Sequence, residues 1–67
     1  MNEDKWSCIM KCQSIMGLGN PTEENPEGDF LHLFQSIDGD GQLTQVIEGN
    51  DFCKVGDQVR VTLTRYQ

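Results

Sequence analysis

Cys53-Lys54-Val55-Gly56-Asp57-Gln58-Val59-Arg60-Val61-Thr62-Leu63-Thr64-Arg65-Tyr66-Gln67 is the stretch whose reading decides the fold. Val55-Gly56-Asp57 has the composition of a tight turn, and residues 58–66 follow it as a strand. Val59, Val61 and Leu63 fall on one side. Gln58, Arg60, Thr62, Thr64 and Tyr66 fall on the other. This is period two in β-branched and aromatic residue types, the pattern of a pleated, half-buried surface. The rest of the chain must then supply the strands that pair with it.

Moving upstream, Gly49-Asn50-Asp51 reads as a turn and residues 42–48, Gln-Leu-Thr-Gln-Val-Ile-Glu, as a strand. Asp38-Gly39-Asp40-Gly41 before it carries Asp-Gly pairs, which supply the positive φ angles of tight hairpins. Residues 30–37, Phe-Leu-His-Leu-Phe-Gln-Ser-Ile, are apolar on both faces and of strand length, which places them centrally in a sheet. His32, the single histidine, is expected as a satisfied core or interface residue. Residues 17–29 hold two prolines, three glycines and four acids, Glu23, Glu24, Glu27 and Asp29, and read as one long acidic loop.

Residues 6–16 are ambiguous. As a strand they place Trp6, Cys8, Met10 and Cys12 on one face, with Ile9 and Ile15 breaking the alternation. As a helix they would stripe Trp6, Ile9, Met10, Gln13 and Met16 and stop at Gly17. The strand is preferred, because a lone helix needs a larger sheet to cover than this chain can supply. The fold expected is a single all-β domain over residues 1–67: a small antiparallel meander, partly rolled sheet or barrel of four to five strands.

Composition narrows the function. Eleven acids against five bases give a formal charge of −6, which disfavours nonspecific binding to nucleic acid and to anionic membranes. No stretch has the length and apolarity of a membrane-spanning helix. Three cysteines, with no leader-like segment, suit a reducing cytoplasm. Sixty-seven residues form a small core that a partner would stabilise, so a homo-oligomer is the expected state.

Chemistry-bearing patterns are sparse. Asp38-Gly-Asp40-Gly resembles the start of a calcium loop, but neither possible register supplies the bidentate acid at the twelfth position. Cys8, Cys12, His32 and Cys53 could form a zinc set only if residues 6–16 were helical. On a strand Cys8 and Cys12 stand roughly 13 Å apart, too far to share one ion. No nucleophile elbow, phosphate loop or metal dyad is present, so neither an enzyme nor a cofactor is expected. Two surfaces could bind. One is the acidic set Glu23, Glu24, Glu27 and Asp29, suited to a basic protein. The other is Arg60, Thr62, Thr64, Arg65 and Tyr66, suited to an anionic ligand.

Lys11-Cys12-Gln13-Ser14-Ile15, the strand at residues 30–37, Gly41-Gln42-Leu43 and the ending Phe52-x-x-Val55-Gly56-Asp57-Gln58-Val59-x-Val61 together resemble a group of small phage-encoded proteins. The resemblance implies viral origin and a small β fold, with no active site to carry over. The function expected is that of an accessory protein in the host cytoplasm that blocks or sequesters a host component, either a host-defence protein or an anionic small ligand. The alternatives are a minor virion or assembly protein and a small zinc-binding module.

Overall fold

A computed structural model describes residues 5–66. Its elements are four strands: β1 (Lys5–Gly19), β2 (Asp29–Ser36), β3 (Gln42–Glu48) and β4 (Gln58–Thr64). They form one antiparallel sheet in the order β3-β2-β1-β4, strongly curled into a half-barrel. Consecutive hairpins join β1, β2 and β3. The chain then crosses from one edge of the sheet to the other before β4 pairs with β1.

β1 is the axis of the sheet. Its first half pairs with β4, from Lys5↔Thr64 to Lys11↔Gln58. Its second half pairs with β2, from Met10↔Ser36 to Gly19↔Asp29. The sheet is therefore staggered, and the β1–β4 pair extends past β2 as a two-stranded ribbon. Residues 6–16 are strand, so the helical alternative is excluded. Cys12 pairs with Phe34 and Ser14 with Leu33, which leaves Gln13 as an extra residue in a bulge. A bulge shifts the alternation by one. It returns Ile15 to the face that already holds Cys8, Met10 and Cys12, which explains why Ile15 is out of phase in the sequence.

The expected loop at residues 17–29 is shorter than its composition implies. β1 runs on to Gly19 through a second irregularity between Gly17 and Gly19, and Asp29 already pairs with Gly19. Two prolines do not prevent this, because both lie beyond the strand. The remaining loop is braced. The Asn25 side chain donates to the Gly28 carbonyl at 2.8 Å and to Asp29 Oδ1 at 3.3 Å, while the Thr22 hydroxyl accepts from the Asn25 N–H at 2.9 Å.

The two other turns differ from each other. Asp57 N–H donates to the Lys54 carbonyl at 3.0 Å and Gly56 has a φ of 99°, a type II turn with glycine at its third position. Asp57 Oδ2 accepts from the Lys54 N–H at 2.9 Å and locks it. The Asp38–Gly41 segment is not the tight hairpin expected. Neither Gly39 nor Gly41 has a positive φ. A wider connection is closed instead by Ser36 N–H on the Gly41 carbonyl at 2.8 Å and by the Gln35 amide on the Gly39 carbonyl at 3.1 Å.

The inner face carries the core. Met10, Cys12, Phe34 and Cys53 are buried, with Cys8, Ile15, Leu43, Ile47, Val59 and Val61 packed around them. β2 lies between β1 and β3, as its two apolar faces require. Cys53 sits on the crossover, residues 49–57, which covers the inner face near Cys12. Gly56 N–H donates to the Cys12 carbonyl at 2.8 Å, and Cys12 N–H to the Asp57 carbonyl at 2.9 Å. Val59 and Val61 are half-buried, but Leu63 is 56% exposed, because the crossover does not reach the end of the ribbon.

Candidate binding surface

The outer face of the ribbon gathers the polar chemistry of both its strands. Val59 and Val61 face inward, so their neighbours Gln58, Arg60, Thr62 and Thr64 face outward, all exposed. Across the ladder stand Lys11 opposite Gln58, Ile9 opposite Arg60 and Ser7 opposite Thr62. Lys11 and Arg60 are thus diagonal neighbours on one surface, within reach of a shared ligand. Lys11 is also opposite Gln35 on β2. Three cations, Lys11, Arg60 and Lys5, the last opposite Thr64, stand among amides and hydroxyls, and neither β1 nor β4 contains a single acid, in a chain of net charge −6. Charge is largely sorted: three of the five bases lie on β1 and β4, and the acids of residues 20–57 lie on the loops and on β2 and β3. The arrangement can accept carboxylate or phosphate oxygens through charge-assisted hydrogen bonds.

Of the residues expected to hold an anion, Arg60, Thr62 and Thr64 share this face. Arg65 and Tyr66 follow the end of β4 at Thr64. Tyr66 is 93% exposed beyond the strand. Lys11 is a residue that sequence reasoning left out. Its membership depends on a pairing between segments almost fifty residues apart, and the available signal was its phase with Ser7 on the polar side of β1.

The acidic set is divided. Glu23 and Glu24 are exposed. Glu27 accepts a hydrogen bond from the Asn50 N–H at 3.1 Å, and Asp29 is held by Asn25. Those two acids tie the β1–β2 loop to itself and to the crossover. A cleft of about 380 Å³ opens between the crossover and the sheet, lined by Ile15, Phe30, Asn50, Cys53, Lys54 and Val55. Neither candidate set lines it.

His32 is fully buried opposite Ile15 on β1 and Gln45 on β3. Its Nδ1 lies 3.2 Å from the Phe30 carbonyl, and its ring stacks on Phe34 with centroids 6.0 Å apart. Its Nε2 has no hydrogen-bond partner among the described residues. The satisfied histidine expected is therefore satisfied on one side only. Among the described residues no three His, Cys, Asp or Glu side chains are grouped to hold a metal ion. No helix among them is long and apolar enough to cross a membrane.

The Cys53 thiol lies against Cys12. Burial, with the Cys12 hydrogen bond and the charges of Cys12 and Asp57, pushes its pKa up from 9.0 to about 11. Because the folded value lies above the unfolded one, the stabilisation is complete below pH 9 and is lost as pH rises towards 11. The urea midpoint is expected to fall across that window, and to fall less in Cys53→Ala; equal slopes for the two proteins would contradict the assignment.

No protein-family model, curated protein or solved structure matches this chain. Its function is accordingly read from the site alone.

Proposed function

We propose that this protein is a non-enzymatic accessory protein of the phage kind that blocks a host component by binding an acidic, extended segment of it along β4. The observation that carries the reading is the acid-free ribbon, with Lys11 and Arg60 on one face beside the outer edge of β4. That edge ends the sheet among the described residues. Arg60 is the only charged residue of β4, and the strand has no proline. Such an edge lacks the usual devices that prevent pairing. Strand addition supplies affinity through the backbone, while side chains on alternate positions supply selectivity. Here those side chains are Arg60, Thr62 and Thr64, with Lys11 behind them.

A synthetic peptide alternating glutamate with valine is expected to bind and to slow amide exchange at Arg60, Thr62 and Thr64, whose N–H groups point away from β1 to the outer edge of β4. Reversing two of the cations, Lys11→Glu with Arg60→Glu, should weaken binding by at least tenfold. Exposed charge contacts are worth about 0.2–1 kcal/mol each, and reversal adds repulsion to the lost attraction. A peptide that binds the double variant equally well, or does not bind the native chain, defeats the reading. A minor virion or assembly role is the second reading, favoured by the open edges of both β3 and β4. It requires the protein to co-purify with particles.

A further inference from the structure

The chain is too extended for its mass. A compact chain of 7.6 kDa exposes about 4,300 Å² by the usual scaling of surface with mass. This one exposes 5357 Å², an excess of about 1,000 Å² over that scaling. Its radius of gyration is 13.9 Å, against about 11 Å for a compact domain of this length. The chain's shortest extent is 15 Å, that of a single curled layer with, among the described residues, only the crossover on its inner side. Domains bury a sheet face against a second layer, and among the described residues none covers the inner face of the ribbon at Trp6 and Leu63.

We infer that this face is the interface of a homodimer, in which the ribbons of two copies pack inner face to inner face about a two-fold axis. Trp6 and Leu63 stand directly opposite each other across the β1–β4 ladder. They are 52% and 56% exposed, next to half-buried Cys8 and Val61. The excess surface is close to the ~800 Å² that each partner contributes to a standard interface. Trp6, Cys8, Met10, Val59, Val61 and Leu63 include no charge, so this face meets its own copy without the repulsion that a net charge of −6 would otherwise impose. A two-fold axis makes the patch its own complement: Trp6 of one copy lies on Leu63 of the other. The cationic outer face and the outer edge of β4 stay accessible, so this inference is independent of the proposed function.

The wild-type chain supplies its own probe, because Trp6 is the only tryptophan. Sedimentation equilibrium should report twice the chain mass at high micromolar concentration. Dilution to the monomer should shift the Trp6 emission to the red. Leu63→Glu should raise the dissociation constant at least 100-fold, while Val46→Glu on the outer face of β3 should change it less than threefold. A wild-type chain that stays monomeric throughout overturns the inference. So does a dimer that dissociates without a change in Trp6 emission, or one that persists in Leu63→Glu.

Discussion

Phe34→Ala is expected to leave the protein largely unfolded at 25 °C. Phe34 is 3% exposed at the middle of β2, opposite Cys12 on β1 and Leu43 on β3, with the His32 ring stacked on it. It is the one buried phenylalanine among the described residues, set on β2 between β1 and β3. Removing a buried phenylalanine side chain costs about 3–5 kcal/mol. A core of this size supplies roughly the same amount in total. The inner face has few other fully buried apolar side chains, Met10, Cys12 and Cys53, so neighbours cannot collapse into the cavity without dismantling the sheet. Far-UV circular dichroism in a urea titration reads the effect. Val46→Ala, on the outer face of β3 at 47% exposure, should cost less than about 1 kcal/mol. Similar losses for the two variants would mean that the inner face is not where stability resides.

Gly28→Ala is expected to be the second most damaging substitution, and for a backbone reason. Gly28 is buried with a φ of 83°, in the region that residues with a Cβ adopt only under strain. A Cβ there would run into the Gly19 carbonyl oxygen. That atom belongs to the backbone at the end of β1, where Gly19 pairs with Asp29, so it cannot swing aside. Gly28 also offers its carbonyl to the Gly49 N–H at 2.9 Å and its own N–H to Asn25. The same shift would therefore disturb the contact between the β1–β2 loop and the crossover. Gly19→Ala is the matched comparison. Its φ is 87°, but nothing stands within 4 Å of the added Cβ. It should show the conformational cost alone, about 1–2 kcal/mol, or a fall of roughly 4–15 °C in Tm. Gly28→Ala should exceed it by at least as much again. Equal melting temperatures would show that Gly19 is free to move.

How much was legible in the sequence follows from how local each signal is. β4 announces itself because Val59, Val61 and Leu63 alternate without interruption after a turn whose glycine and aspartate both act locally. β2 is central because both its faces are apolar, which needs no knowledge of its neighbours. β1 was harder. Gln13 inserts one residue into the alternation, so an unbroken period of two fails at Ile15 and the segment matches a helix nearly as well. Its extension to Gly19 was hidden by glycines that are tolerated at a strand end near a bulge. The Asp-Gly pairs at residues 38–41 misled in the opposite sense: they permit a tight turn, but side-chain and backbone bonds from Gln35 and Ser36 select a wider one. The candidate surface was half visible. Arg60, Thr62 and Thr64 share a phase within one strand, whereas Lys11 joins them only through a register that no local pattern encodes. The exposure of Leu63 was equally hidden, since it depends on how far the crossover reaches along the ribbon.

Everything proposed for the ribbon depends on its register, which puts Lys11 and Arg60 on one side and Trp6 and Leu63 on the other. Proton–proton Overhauser contacts between backbones measure that register directly. Residues directly opposite are expected to show it, Cys8 with Val61 and Met10 with Val59 on the β4 side and Cys12 with Phe34 on the β2 side. A ladder displaced by one residue, linking Cys8 to Arg60 or to Thr62, would turn Arg60 onto the apolar face and contradict the account.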